Sequence, residues 1–234
     1  MVDVDALFFD VFGTVVDWRT SVARGLESYG AGRGIKADWG RLADAWRSFY
    51  DPYMEEVRAG RRAWTKLDEL QTENVADAFA ALGLPVPDES ERRELARCWH
   101  HLDPWPDAVE GLRRIKKSYV VAPVSNGHIR LMVDIARHAG LPWDTVLGAE
   151  IARTYKPDRQ VYLASAAALD APPERCMMVA AHAGDLAAAG ALGLKTAFVA
   201  RPLEHGPGGE TDSKPGGVDI VADDFIDLAR QLGC

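Results

Sequence analysis

Five short apolar runs, each ended by polar or glycine-bearing residues, constrain this chain more than any other feature. Ala6–Phe9 ends at Asp10, before Phe12-Gly13-Thr14, and Tyr119–Val124 ends at Ser125-Asn126-Gly127. Cys176–Ala181 ends at His182-Ala183-Gly184-Asp185, Thr196–Ala200 at Arg201-Pro202, and Val218–Ala222 at Asp223-Asp224. Runs of this length, bounded in this way, predict buried strands. Helical spacing separates them over Ile129–Ala139, Gln160–Ala168 and Leu186–Leu192, the last two rich in Ala and Leu. Strand, polar turn, helix, strand is the order of an α/β fold with a doubly wound, Rossmann-like parallel sheet and right-handed crossovers. Ligands bind such sheets at the carboxyl ends of the strands. The polar groups ending the first three runs are therefore expected to converge.

The stretch between the first and second runs reads differently. It holds no convincing strand, and helical patterns run over Ser21–Tyr29, Trp39–Arg58, Trp64–Leu82 and Glu89–His101. Six of the seven tryptophans (Trp18, Trp39, Trp46, Trp64, Trp99 and Trp105) lie in this interval, most simply as the packing of a helical unit. Residues 17–101 are expected to form a helical cap domain over the strand ends. Residues 1–16 and 102–234 are expected to form the catalytic core.

With 234 residues the chain can bury a core without disulfides or a structural metal. Its net charge of −8 lacks the electrostatic footprint of a nucleic-acid-binding protein. No apolar run reaches the roughly 18 residues of a membrane span, so neither nucleic acid nor membrane is expected as a partner. The start, Met-Val-Asp-Val-Asp, has no basic region, which argues against a secretory leader. Cys98, Cys176 and Cys234 match neither a disulfide framework nor a zinc pattern, and a reduced, cytoplasmic setting is expected. His205–Gly217, with five glycines and two prolines, reads as a mobile surface loop.

Each polar strand end has a structural explanation when taken alone. Asp10 could cap a turn, Ser125 and Asn126 could cap a helix, and His182 and Asp185 could cap the helix that follows them. Lys156, in Tyr155-Lys156-Pro157-Asp158, could be solvated, although the proline fixes the approach to a helix and hence its direction. Asp10, Ser125, Lys156 and Asp185 together are far more specific.

On that set the sequence resembles the haloacid dehalogenase superfamily along essentially its whole length. The helical insert corresponds to that superfamily's cap. The phosphatase branch carries Asp-x-Asp-x-Thr and a magnesium site. Here the second Asp is Phe12, which transfers no proton, and the usual metal-ligating acid four residues before Asp185 is Ala181. A hard cation needs several oxygen ligands, and phosphoryl transfer without it loses its main charge stabiliser. The sequence is instead similar to the L-2-haloacid dehalogenases (type II) at Asp10-Val11-Phe12-Gly13-Thr14, Ala45-Trp46-Arg47, Ser125-Asn126-Gly127, Lys156-Pro157-Asp158 with Tyr162, and Asp185. It departs from them at Ala180 (usually Ser), His182 (usually Asn) and Gly184 (usually aromatic).

The resemblance implies a hydrolase that converts small (S)-2-haloacids to (R)-2-hydroxy acids with no cofactor. Magnesium enters only if the phosphatase alternative holds. Asp10 would displace the halide and form an ester. Arg47 and Asn126 would receive the halide, and Ser125 with backbone N–H groups near Phe12 and Asn126 would hold the substrate carboxylate. Lys156 would keep Asp10 ionised, and Thr14 would support it by hydrogen bonding. Water oriented or deprotonated by Asp185, with His182, would hydrolyse the ester. Phe12, Trp18, Tyr50 and Tyr162 are candidates for a dry apolar wall. The expected partners are a small anionic substrate and halide, and the family is often a homodimer. A phosphatase, another small-acid hydrolase of this architecture and a non-catalytic small-acid binder remain as alternatives.

Overall fold

The computed structural model describes residues 3–234; Met1 and Val2, at the acidic start, lie outside them. Its strands are β1 (Ala6–Phe9), β2 (Val16–Asp17), β3 (Asp103–Pro104), β4 (Val120–Ser125), β5 (Leu147–Gly148), β6 (Cys176–Ala180), β7 (Lys195–Val199) and β8 (Ile220–Ala222). Six of them form one sheet in the order β5-β4-β1-β6-β7-β8. Every pairing in that sheet is parallel. The five apolar runs read from the sequence are β1, β4, β6, β7 and β8. The sixth strand, β5, is two residues long, too short to carry a period.

Alternation along the strands distributes side chains to two apolar layers. Leu7, Phe9, Met177 and Val179 face one, and Phe8, Ala122, Met178 and Ala180 face the other. Helices cover both. The insert between β2 and β3 holds α1 (Trp18–Ala31), α2 (Trp39–Ser48), α3 (Tyr50–Arg58), α4 (Leu67–Ala81) and α5 (Glu89–Ala96). The core adds α6 (Ala108–Ile115), α7 (Ile129–Ala139), α8 (Ala149–Ala152), α9 (Arg159–Ala167), α10 (Ala183–Gly190) and α11 (Phe225–Gln231). Residues of α6, α7 and α11 pack on the first layer, and residues of α9 and α10 on the second. Among the described residues no helix is long and apolar enough to cross a membrane.

The winding reverses at β1. The chain crosses from β1 to β4 and β5 on one side, then returns to β6, β7 and β8 on the other. A ligand crevice opens at such a reversal, and Asp10 leaves β1 there. The helical insert departs and returns through an antiparallel pair, with Val16 opposite Pro104 and Asp17 opposite Asp103. Asp17 caps α1 by accepting from the Thr20 N–H at 3.0 Å, and Asp38 caps α2 by accepting from Arg41 N–H at 3.0 Å.

The helical pattern over Trp39–Arg58 is two helices, broken at Phe49. Pro52 falls in the first turn of α3, where a missing N–H costs nothing. The pattern over Glu89–His101 ends as a 3-10 turn, Arg97–His100. The insert's interior is aromatic: Trp18 stacks on Trp99 at 6.0 Å, and Trp46 meets Trp99 edge-on at 5.6 Å, all three fully buried.

Candidate active site

Asp10 is 6% exposed and its backbone N–H donates to Val179 O across β6 at 3.0 Å, so its position is set by the sheet. The loop beyond it folds back tightly, with Val15 and Val16 N–H both donating to Val11 O. Gly13 makes that turn at a φ of +87°, a conformation disfavoured for residues with a Cβ. A Cβ there would also lie 2.0 Å from Glu204 Oε1. Thr14 Oγ1 accepts from Ala181 N–H at 2.9 Å and donates to Asp10 Oδ2 at 2.7 Å. The hydroxyl proton is thereby aimed at the carboxylate.

Lys156 Nζ donates to Asp10 Oδ1 at 2.9 Å and to Asp185 Oδ2 at 2.5 Å. Its own backbone is held on both sides. Its N–H donates to Asn126 Oδ1 at 2.7 Å, and its carbonyl accepts from Arg58 of α3 at 2.9 Å. The bond to Pro157 is cis. Tyr162 completes the acid side by donating to Asp185 Oδ1 at 2.5 Å.

His182 lies on the other side of Asp10. Its Nδ1 is 3.0 Å from Asp10 Oδ2, and its Nε2 is 3.0 and 3.1 Å from the two oxygens of Glu204. Two carboxylate partners make both ring nitrogens donors, which is the imidazolium form. Burial disfavours that charge, but the hydrogen bonds to Asp10 and Glu204 outweigh it and push His182 up to about 10. The sequence pairs His182 with Asp185 at the hydrolytic water. In the structure the acid on the second ring nitrogen is Glu204, and the Asp185 oxygens are taken by Lys156 and Tyr162.

Glu204 joins the cluster without any direct signal in the sequence pattern. It is 3% exposed, and Oε1 also accepts from Trp18 Nε1 at 3.2 Å. A turn carries it, with Glu204 N–H donating to Arg201 O at 3.1 Å. Arg201 is buried as well: Nε donates to Thr14 O at 2.8 Å, and the guanidinium pairs with both oxygens of Asp107 at 2.8 Å. One side chain thus ties the Glu204 turn to the loop that carries Asp10.

These charges set one another. Burial alone would raise the Asp10 carboxyl, but Lys156 and then His182 hold it well below the usual carboxylate range. Burial works against the Lys156 ammonium too, yet Asp10 and Asp185 keep it firmly protonated. Asp185 is pushed up by burial and by the neighbouring Asp10, since one ammonium is shared between two carboxylates.

A cavity of about 320 Å³ opens beside this cluster, with Asp10, Lys156, His182 and Asp185 in its wall. Phe12, Arg47, Tyr50, Asn126 and Tyr162 also line it. The Arg47 guanidinium lies 3.8 Å from the centroid of the Tyr50 ring, and among the described residues no acid pairs with it. Phe12 meets Tyr50 and Trp99 edge-on at 6.1 and 5.7 Å. Burial pushes the Tyr50 hydroxyl up to about 12, so it stays neutral. Because Asn126 Oδ1 is taken by Lys156 N–H, its amide nitrogen is the end left to donate.

Two expected lining groups lie elsewhere. Trp18 is fully buried behind the cavity, where it holds Glu204 rather than forming a wall. Ser125 is fully buried too, and its Oγ accepts from Gly127 N–H at 3.1 Å, shaping the turn that presents Asn126.

The residues do not fit the magnesium site of the phosphatase branch. Ala181 offers no side-chain oxygen where the ligating acid belongs, Phe12 offers no acid to protonate a leaving group, and the Lys156 ammonium bridges Asp10 and Asp185.

A family description, haloacid dehalogenase-like hydrolase, matches residues 4–193. The fold is similar to that of a defluorinating L-2-haloacid dehalogenase, at 46% identity and a TM-score of 0.95, over 99% of this chain and 96% of that one. A second L-2-haloacid dehalogenase structure is 45% identical with a TM-score of 0.93, over 98% of this chain and 99% of that one. The (S)-2-haloacid dehalogenase of Pseudomonas fluorescens is 26% identical over 218 residues, 92% of each chain. Buried Asp10 with its lysine, Phe12 and Ala181 in place of the phosphatase acids, and these likenesses agree, and the chain belongs to the haloacid dehalogenase-like hydrolases, in their L-2-haloacid dehalogenase branch.

Proposed function

We propose that this protein hydrolyses small (S)-2-haloacids to (R)-2-hydroxy acids and halide through an ester on Asp10. The observation that carries the reading is the state of Asp10: a buried, ionised carboxylate held from three sides at 2.7–3.0 Å, bordering a cavity in which Arg47 is a cation that no acid among the described residues pairs with. Residues 17–101 act as the cap, since they supply Arg47, Tyr50, Asp51 and Met54 to a cavity whose other walls come from the core.

In the first step an Asp10 oxygen attacks the carbon bearing the halogen, and the halide leaves with the bonding electrons. Arg47 and the Asn126 amide receive its charge. Lys156 keeps the nucleophile ionised beside an anionic substrate. The substrate carboxylate is held by N–H groups of the Phe12 and Asn126 turns, with Ser125 shaping the second of them.

The second step uses a change that the first creates. Esterification removes the negative charge of Asp10, and His182 loses one of the two carboxylates that kept it protonated. Its proton is released, and Glu204 still orients the ring. Neutral His182 Nδ1 then takes a proton from a water attacking the ester carbonyl. It returns that proton to the departing hydroxy-acid oxygen and finally recovers one from Asp10. General base work of this kind contributes about 10²–10⁴-fold. One relative, 46% identical, is described as defluorinating. We extend the proposed substrates to 2-fluoro acids, whose leaving atom Arg47 can receive by N–H donation.

The test is halide release from each enantiomer of 2-chloro- and 2-fluoropropionate, with and without a chelator, against Asp10→Asn. Chelator-insensitive release from the S enantiomers, lost in the variant, is expected. Release that persists in Asp10→Asn contradicts the reading.

A further inference from the structure

Gly184 lies in the first turn of α10 and lines the cavity beside Asp185. Its backbone is not in the left-handed region, and a Cβ built on it would meet no atom within 4 Å. Neither conformation nor packing requires a glycine here, and glycine in a helix costs stability relative to alanine. What the missing side chain does is leave the cavity open, because Gly184 is itself exposed.

In-line displacement fixes which part of a substrate meets that opening. The attacking Asp10 oxygen, the reacting carbon and the halide are collinear, with the halide toward Arg47. The hydrogen, the carboxylate and the 2-substituent radiate around that line. The carboxylate takes the Asn126 turn, and the 2-substituent takes the remaining sector. The other cavity-lining residues include Met54 and Pro157, which are apolar. The cavity measures about 320 Å³.

We propose that Gly184 is a specificity-determining residue. It gives the 2-substituent a way out of the cavity, so that the enzyme takes 2-haloacids with alkyl or arylmethyl substituents longer than methyl. This rests on the dehalogenase reading.

The experiment measures kcat/KM for bromide release from (S)-2-bromopropionate, (S)-2-bromobutanoate, (S)-2-bromohexanoate and (S)-2-bromo-3-phenylpropionate. The wild type is expected to hold or raise kcat/KM from propionate to hexanoate. Gly184→Phe is expected to lower the hexanoate-to-propionate ratio by about tenfold or more, the scale of a lost hydrophobic contact. A wild-type value that falls steeply beyond propionate overturns the proposal. So does an unchanged ratio in the variant. If Gly184→Phe fails to fold, Gly184→Leu supplies the ratio. Release from none of the acids would instead sink the dehalogenase reading, and this inference with it.

Discussion

The imidazole of His182 is anchored at Nε2 by both carboxylate oxygens of Glu204, at 3.0 and 3.1 Å, while its Nδ1 faces Asp10. An acid behind a histidine fixes ring orientation and stabilises the proton the ring accepts. The arrangement sets the ring against Asp10 without involving Asp185, whose oxygens are taken by Lys156 and Tyr162.

If His182 acts in ester hydrolysis alone, removing it separates the two steps. His182→Gln is expected to release about one equivalent of halide per site and then slow by roughly 10²–10⁴-fold. Rapid-quench measurement of halide reads this directly. A slow first turnover with no burst would assign His182 to the displacement instead.

Glu204→Gln keeps the shape of the side chain and removes the charge. Steady-state turnover is expected to fall by about 10–100-fold while the burst remains, since the ring keeps Asp10 but loses its anchoring charge. A loss of burst amplitude equal to the loss of turnover would count against the assignment.

The raised pKa of His182 has a signed consequence for stability. A group whose folded pKa lies above its unfolded value of about 6.5 stabilises fully below that value. Its contribution is lost as the pH rises toward about 10. Urea denaturation of the wild type and His182→Gln should therefore show a stability difference that narrows as pH increases through this window. A gap that widens on the alkaline side would mean that the ring is neutral in the resting protein.

Arg201 and Asp107 form a bidentate pair with side chains 6% and 13% exposed. Breaking such a pair from one side leaves a buried charge, so Arg201→Met is expected to cost about 3–5 kcal/mol. It also frees the Thr14 carbonyl. Chemical denaturation tests the first effect, and a loss below about 1 kcal/mol would show that the pair is dispensable.

The sequence made the strands legible because a strand buried on both faces is a short apolar run with polar ends. It also made Asp10 and Asp185 legible, since each follows such a run, and Lys156 through the proline after it and the set it completes. Arg47 was reached through resemblance and its place after Trp46. Several features, besides β5, are not visible in the sequence. The β2–β3 pair is two residues on each side, below any periodic signal. α11 is a seven-residue helix whose cap, Asp224, stands in an acidic pair that reads as a turn. Glu204 follows β7 in an aperiodic segment just before the glycine-rich stretch, and its burial depends on Gly13, Trp18 and His182, all distant in the chain. The signal for it was indirect: a histidine in place of the usual asparagine needs an acid at its second nitrogen.

The central claim is that Asp10 becomes an ester whose carbonyl is attacked by water. Single-turnover reaction with enzyme in excess, run in ¹⁸O-water, tests it most directly by mass analysis of the Asp10-containing peptide and of the product acid. The account predicts the heavy oxygen in the Asp10 carboxylate and unlabelled 2-hydroxy acid from that first turnover. Label in the hydroxyl of the product, with Asp10 unlabelled, would show that water attacks the substrate carbon directly and would contradict it.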